Sequence, residues 1–130
     1  MLSDNDKKLL LNLDDAMFDA LVSNISSLLS KADQLLASHV EFDYNTMHLA
    51  PKCNPDEMEE VEKGWSNEVL NFFGNALCGQ TIAIVIDLLY ADSSAPGAYS
   101  EYGKKRNVLV EKRNLLKSFH NDLITLKSTK

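Results

Sequence analysis

The chain has 130 residues, a length that suits one compact domain. Hydrophobic residues make up 45% of it and charged residues 25%, with only five glycines and three prolines, which excludes a disordered or fibrous chain. The net charge of −6 indicates an acidic protein and argues against non-specific binding to nucleic acid phosphates.

The first third of the chain has helical periodicity. Ser3 suits an N-cap, and the two aspartates that follow suit the positive end of a helix dipole. We expect one long helix over residues 4–38, or two in tandem with the break at residues 12–15, where Asp14 starts a new helix. The apolar seam behind this prediction has alternating spacings of three and four and consists of Phe18, Leu21, Ile25, Leu28, Ala32 and Leu35.

Residues 39–53 lose the helical period and predict a loop. This segment holds His39, Glu41, Asp43 and His48, which are residue types that can bind metals. It has no pair of histidines at helical spacing and no cysteine ligand beside them, so we expect no metal site.

The second long helix is predicted to start at Asn54, which caps it, with Pro55 at its first position and Glu57 completing a capping box. Four acidic side chains at its start, Glu57, Glu59, Glu60 and Glu62, indicate a solvated helix end or a docking surface for a basic protein. The apolar stripe of this helix consists of Met58, Val61, Trp65, Val69, Phe72, Phe73 and Ala76.

Residues 82–90 predict a buried helix, because the apolar run continues past the length of a short strand and no partner strand is evident. A turn follows at residues 92–97. The last helix is predicted from Tyr99 to Leu126, with Leu109, Leu116 and Leu123 recurring every seven residues. Four helical segments with short connections predict an all-α fold, an antiparallel bundle of four or five helices in a single domain over residues 1–130.

No segment predicts export or membrane insertion. The apolar run at residues 9–11 is too short for a signal-peptide core, and residues 82–90 cover about half of a membrane span and include Asp87. Cys53 and Cys78 belong to no CxxC pair or zinc-binding cluster, which favours reduced thiols. We therefore expect a cytoplasmic protein that has no membrane partner and no cofactor.

Charge is unevenly distributed along the chain. Residues 1–95 carry five lysines against sixteen acidic residues, a net charge of −11, whereas residues 96–130 carry eight basic and three acidic residues, a net charge of +5. The basic segment suits an anionic partner such as RNA. Alternatively, the basic helix packs beside acidic helices of its own chain.

The last helix carries the strongest candidate for chemistry. Arg106, Arg113 and His120 are spaced seven residues apart, which places them on one side of a helix, and Asn114 follows Arg113. An arginine would hold a scissile phosphate, and a histidine would move the proton of a ribose 2′-hydroxyl or protonate the leaving oxygen. The structural alternative is a solvated helix face whose Arg and His pair with acidic neighbours.

At these residues the sequence resembles the HEPN superfamily, small all-α domains that are often ribonucleases or toxins of defence systems. The family motif is an Arg, commonly followed by Asn, and then a His after a short spacer; here it reads Arg113-Asn114-Leu-Leu-Lys-Ser-Phe-His120. The resemblance implies a metal-independent endoribonuclease or an RNA-binding relative, in which Arg113, Asn114 and His120 are catalytic and two subunits face each other as a homodimer. The neighbouring Arg106, Lys105 and Lys112 are the candidate substrate-binding residues.

A second function class fits the same sequence. A non-enzymatic interaction protein, such as an immunity or antitoxin-type inhibitor, would use the acidic surface of residues 1–95 to bind a basic partner protein. The ribonuclease requires Arg113 and His120 to be exposed together in a groove. The interaction protein requires a contiguous acidic patch with a few exposed apolar anchors, and it predicts that Arg113 and His120 can be removed without effect.

Overall fold

A computed structural model describes residues 2–43, 45, 47–51, 54–77, 82–94 and 101–128. These residues confirm the helical bundle, because five helices pack together. A short antiparallel hairpin, β1 (Val40–Asp43) and β2 (His48–Pro51), lies between the second and third helices. The helices are α1 (Asp4–Leu11), α2 (Asp15–Ser38), α3 (Pro55–Ala76), α4 (Ala83–Ser94) and α5 (Glu101–Ser128).

The helices begin where the capping residues predict. The side chains of Ser3, Asp14 and Asn54 each accept a hydrogen bond from the backbone N–H three residues later, at 3.1, 2.7 and 2.8 Å. The predicted break at residues 12–15 therefore separates α1 from α2. Glu57 takes part in the α3 cap by accepting a hydrogen bond from the side-chain amide of Asn54 at 3.3 Å.

The prediction of a loop over residues 39–53 was wrong where the hairpin forms. Val40 pairs with Pro51 and Asp43 pairs with His48, so each strand has only four residues. Such short strands show too little alternation to be recognised from sequence, because the backbone ladder rather than an apolar face defines them. The turn between them is closed by Met47 in the left-handed region, at φ 59°.

Residues 83–94 are helical, as the apolar run predicts, but α4 continues into the predicted turn. It ends at Ser94, so the prediction of a turn was wrong for residues 92–94. The rest of that turn, together with Cys53 and Cys78, lies outside the described residues. No helix in the described parts of the chain is long and apolar enough to cross a membrane.

The core lies where α2, α3 and α5 meet. Trp65 is almost fully buried, and its Nε1 donates a hydrogen bond to the backbone carbonyl of Leu28 at 2.9 Å. The rings of Phe73 and Phe119 pack edge to face with centroids 5.6 Å apart. The predicted apolar positions supply this core: the α2 seam from Phe18 to Ala32 is buried, and so are the heptad leucines of α5.

Ion pairs that join α5 to its neighbours show how the helices run. In the pairs Lys105–Glu59 and Lys112–Glu62, the residue numbers increase together along α5 and α3. These two helices therefore lie side by side and run in the same direction. Between α5 and α2 the order is reversed, because the residue numbers of the α2 partners fall as those of the α5 partners rise. In order along α5, the pairs are Lys105–Glu59, Lys112–Glu62, Arg113–Asp33 and Lys127–Asp19.

Candidate functional site on the last helix

Arg113 lies on the face of α5 that meets α2, where Asp33 holds it. Its Nε donates to Oδ1 of Asp33 at 2.9 Å, and its Nη2 donates to Oδ2 at 3.3 Å. Nη1 donates to Oδ1 of Asn114 at 3.3 Å. The structure thus brings Arg113 and Asn114 together, as the motif predicts. The forked contact also places a carboxylate on the guanidinium, where a bound phosphate would have to sit.

His120 is buried against α2, with 9% of its surface exposed. Neither ring nitrogen has a hydrogen-bond partner, so no hydrogen bond joins this histidine to Arg113. Seven helical residues separate the two Cα atoms by about 10 Å along the axis. The motif residues therefore share a helix, but they do not form a hydrogen-bonded pair.

Burial lowers the pKa of His120, and the ammonium of Lys117 lowers it further. The Val22 backbone favours the charged ring and offsets part of this shift, although it makes no hydrogen bond of normal geometry with the ring. The neutral imidazole is therefore the form that fits this site.

The three candidate substrate-binding residues lie in different environments. Lys105 is partly exposed and pairs with Glu59, and hydrogen bonds from Lys105 and Lys63 lower the pKa of that carboxylate. Arg106 is partly buried, and its Nε has no hydrogen-bond partner. Lys112 lies inside the protein with 6% of its surface exposed, so its ammonium is not presented to a ligand in solution.

Lys112 belongs to a buried polar network that joins α5 to α3. Its Nζ donates to Oε1 of Glu62 at 2.5 Å and to Oγ of Ser66 at 3.1 Å. The Ser66 hydroxyl donates to the same Glu62 oxygen at 2.8 Å. Glu62 is 3% exposed, so this carboxylate lies in the core rather than on the solvated face that sequence assigned to it.

Sequence reasoning missed Glu62, Ser66 and Asp33, although a signal for part of this network is present. Glu62 follows Met58 by four residues and precedes Trp65 by three, which places it on the buried stripe of α3. On α5, Lys112 lies three residues after Leu109 and four before Leu116. His120 lies four residues after Leu116 and three before Leu123. A charge at such a position predicts a buried partner.

Several basic side chains of α5 form ion pairs within the chain. Four of its basic side chains pair with carboxylates of α2 or α3: Lys105, Lys112, Arg113 and Lys127. This is the arrangement in which the basic helix packs beside acidic helices of its own chain. It leaves α5 with fewer cations for an anionic ligand than the sequence indicates.

No metal site emerges from the described residues. Across those ranges, no group of three or more His, Cys, Asp or Glu side chains is placed to hold an ion. Nδ1 of His39 lies 2.7 Å from the carbonyl oxygen of Leu35. The side chains of Glu41, Asp43 and His48 lie outside the described part of the structure.

Comparison with known proteins gives no family assignment. The chain matches no protein-family model, no curated protein and no solved structure.

We predict that Lys112→Met lowers the free energy of unfolding by about 3–5 kcal/mol, because it leaves the Glu62 carboxylate buried without its cation. The double variant Lys112→Met/Glu62→Leu should recover most of that loss, since it removes both charges. Urea unfolding of each variant measures these differences. Lys105→Met, which breaks a partly exposed pair, is the control. An equal loss of unfolding free energy in this control would show that the buried network stabilises the fold no more than a partly exposed ion pair does.

We predict that His120 makes the fold sensitive to acid. Its folded-state pKa is lower than that of the unfolded chain, so the stabilisation is complete above the ordinary value of 6.5 and is lost as the pH falls through the folded-state pKa. Urea unfolding at a series of pH values should show this loss in the wild type and a smaller one in His120→Leu. Lys117→Met should also reduce it. Identical pH profiles for wild type and His120→Leu would refute the prediction.

Proposed function

We propose that this chain is a non-enzymatic interaction protein, whose exposed carboxylates bind a basic partner protein as an immunity or antitoxin-type inhibitor does. The observation that supports the proposal most is that the candidate catalytic side chains of α5 make contacts within the fold. Its candidate catalytic histidine is buried, and its candidate catalytic arginine is held by Asp33. The chemistry that an RNA substrate requires is therefore not arranged on a free surface.

The binding surface in this proposal is the start of α3. Asp56, Glu57 and Glu60 are exposed there, and we call these three residues the α3 acidic patch. On a helix, residues three or four apart are neighbours at about 5–6 Å, so the three carboxylates form one local concentration of negative charge. Such a patch accelerates association with a cationic partner and fixes its orientation.

We also propose the domain organisation and the helix directions of the fold. We propose that residues 1–130 form one domain and that α2 runs antiparallel to α3 and α5. The ion-pair partners along α2 and α5 occur in opposite orders, which supports the antiparallel arrangement of these two helices. Because α3 and α5 share one direction, α2 would run antiparallel to α3 as well. We also place the protein in the cytoplasm.

A ribonuclease of the HEPN type is the second candidate. The hydrogen bond between Arg113 and Asn114 favours it, because the motif requires these two side chains to act together. In this hypothesis RNA displaces Asp33 from the guanidinium, and the His120 ring turns out of the α2 interface. The homodimer that the resemblance implies would then enclose the site.

We predict that fluorescently labelled poly-L-lysine binds the protein, and that rising salt weakens this binding because the charges are exposed. Asp56→Asn/Glu57→Gln/Glu60→Gln should weaken binding by about tenfold or more, since it neutralises the α3 acidic patch. Fluorescence anisotropy measures both effects. A labelled RNA oligonucleotide of the same length should bind less well than poly-L-lysine.

The matched control neutralises three exposed carboxylates outside the patch, at the starts of α1 and α2, in Asp4→Asn/Asp14→Asn/Asp15→Asn. It changes the net charge equally, and Asn keeps the cap at position 14. Equal losses in the two triple variants would mean that net charge alone governs binding. That result, or tighter binding of RNA than of poly-L-lysine, would overturn the proposal.

A further inference from the structure

Three positions on α2 lie opposite three positions on α5 along the contact between these helices. The two outer levels are ion pairs, and they are fourteen residues apart on both helices, from 113 to 127 on α5 and from 33 back to 19 on α2. This shared register places His120, midway between the pairs on α5, opposite Ser26, midway between them on α2. The three levels of what we call the α2–α5 ladder are Arg113–Asp33, His120–Ser26 and Lys127–Asp19.

A second observation places the His120 ring at the middle level. The backbone of Val22 acts on this ring and favours its charged form. In an α-helix the carbonyl of residue 22 accepts the N–H of residue 26, so Val22 and Ser26 belong to the same turn of α2. The imidazole therefore lies against the turn of α2 that carries Ser26.

The middle level of the ladder has no carboxylate. Ser26 cannot supply one, and no charged residue occurs at positions 20–30 of α2. Asp19 and Asp33 are each seven residues from Ser26, about 10 Å along the helix, and each already pairs with a cation of α5. The two outer levels thus match a cation with an anion, whereas the middle level matches a titratable histidine with a serine.

The charged side chains of α5 near His120 do not replace that carboxylate. Lys117, one turn earlier, is a cation and disfavours a second positive charge. Asp122 lines the hollow between α1, α4 and α5, on another side of the helix. Neither ring nitrogen has a hydrogen-bond partner, so within the described residues a proton on this buried ring has no carboxylate to stabilise it.

We propose that the α2–α5 ladder is a pH-sensitive switch whose direction is set by Ser26. With the ring neutral, His120 packs against α2. With the ring protonated, a buried positive charge lies beside Lys117 and opposite a serine, and the contact between α2 and α5 weakens. The switch goes beyond the proposed function and does not depend on it, because it involves neither the α3 acidic patch nor a partner.

Proton NMR of the full-length protein tests the switch through the His120 ring, whose resonances are identified by their absence in His120→Gln. In the wild type we expect the ring to titrate below the ordinary value of 6.5. Ser26→Asp adds a carboxylate at an exposed position of the middle level, and it should move the midpoint above 6.5. A midpoint in Ser26→Asp that equals that of the wild type overturns the proposal.

Urea unfolding at a series of pH values gives a second readout, in which the sign of the response reverses. The wild type loses stability as the pH falls through the folded-state pKa of His120. In Ser26→Asp the folded-state pKa lies above that of the unfolded chain, so the added stability is complete below 6.5 and is lost as the pH rises through the folded-state pKa. The same direction of response in both proteins would contradict the proposal.

The matched control is Ser27→Asp, which adds the same charge at the next residue of α2. Ser27 is also exposed, but it lines a hollow between α2 and α3 and so points away from the ladder. Its midpoint and its pH response should match those of the wild type. Equal shifts in the two variants would mean that net charge alone moves the titration, and would overturn the proposal. Neither outcome bears on poly-L-lysine binding, so failure of the switch can be told from failure of the proposed function.

Discussion

The buried pair between Lys112 and Glu62 is the constraint on which the rest of the structure depends. Two opposite charges inside a protein are tolerated only when they stay together and their remaining hydrogen-bonding groups are satisfied, which Ser66 helps to do here. Because one charge lies on α3 and the other on α5, any sliding of these helices would leave both ions unpaired in the core. The pair thus favours a single register for the two helices.

That constraint gives α5 a structural role. Its apolar positions build the core, and four of its basic side chains pair with carboxylates of α2 or α3. With these four side chains paired inside the chain, α5 presents fewer cations to an anion than its sequence indicates. The exposed charge that stays open to a partner is therefore elsewhere, in the concentration of carboxylates at the start of α3.

The local features of the fold were predictable, and the long-range pairings were not. The N-caps at Ser3, Asp14 and Asn54 and the apolar seams depend on residues a few positions apart, so periodicity identifies them. Lys112 and Glu62 are 50 positions apart, and periodicity cannot say which buried cation meets which buried anion. Likewise, the spacing of Arg113 and His120 predicts a shared helix but not that the ring turns into the α2 interface.

The most direct measurement of whether α5 is structural or catalytic is RNA cleavage by the purified protein in EDTA. Wild type is assayed beside His120→Ala and Arg113→Ala, and the product ends are analysed for 2′,3′-cyclic phosphate. We expect no cleavage by the folded wild type, because its histidine is buried and its arginine is held by Asp33. Cleavage by the wild type that both substitutions abolish would contradict this interpretation and establish a ribonuclease.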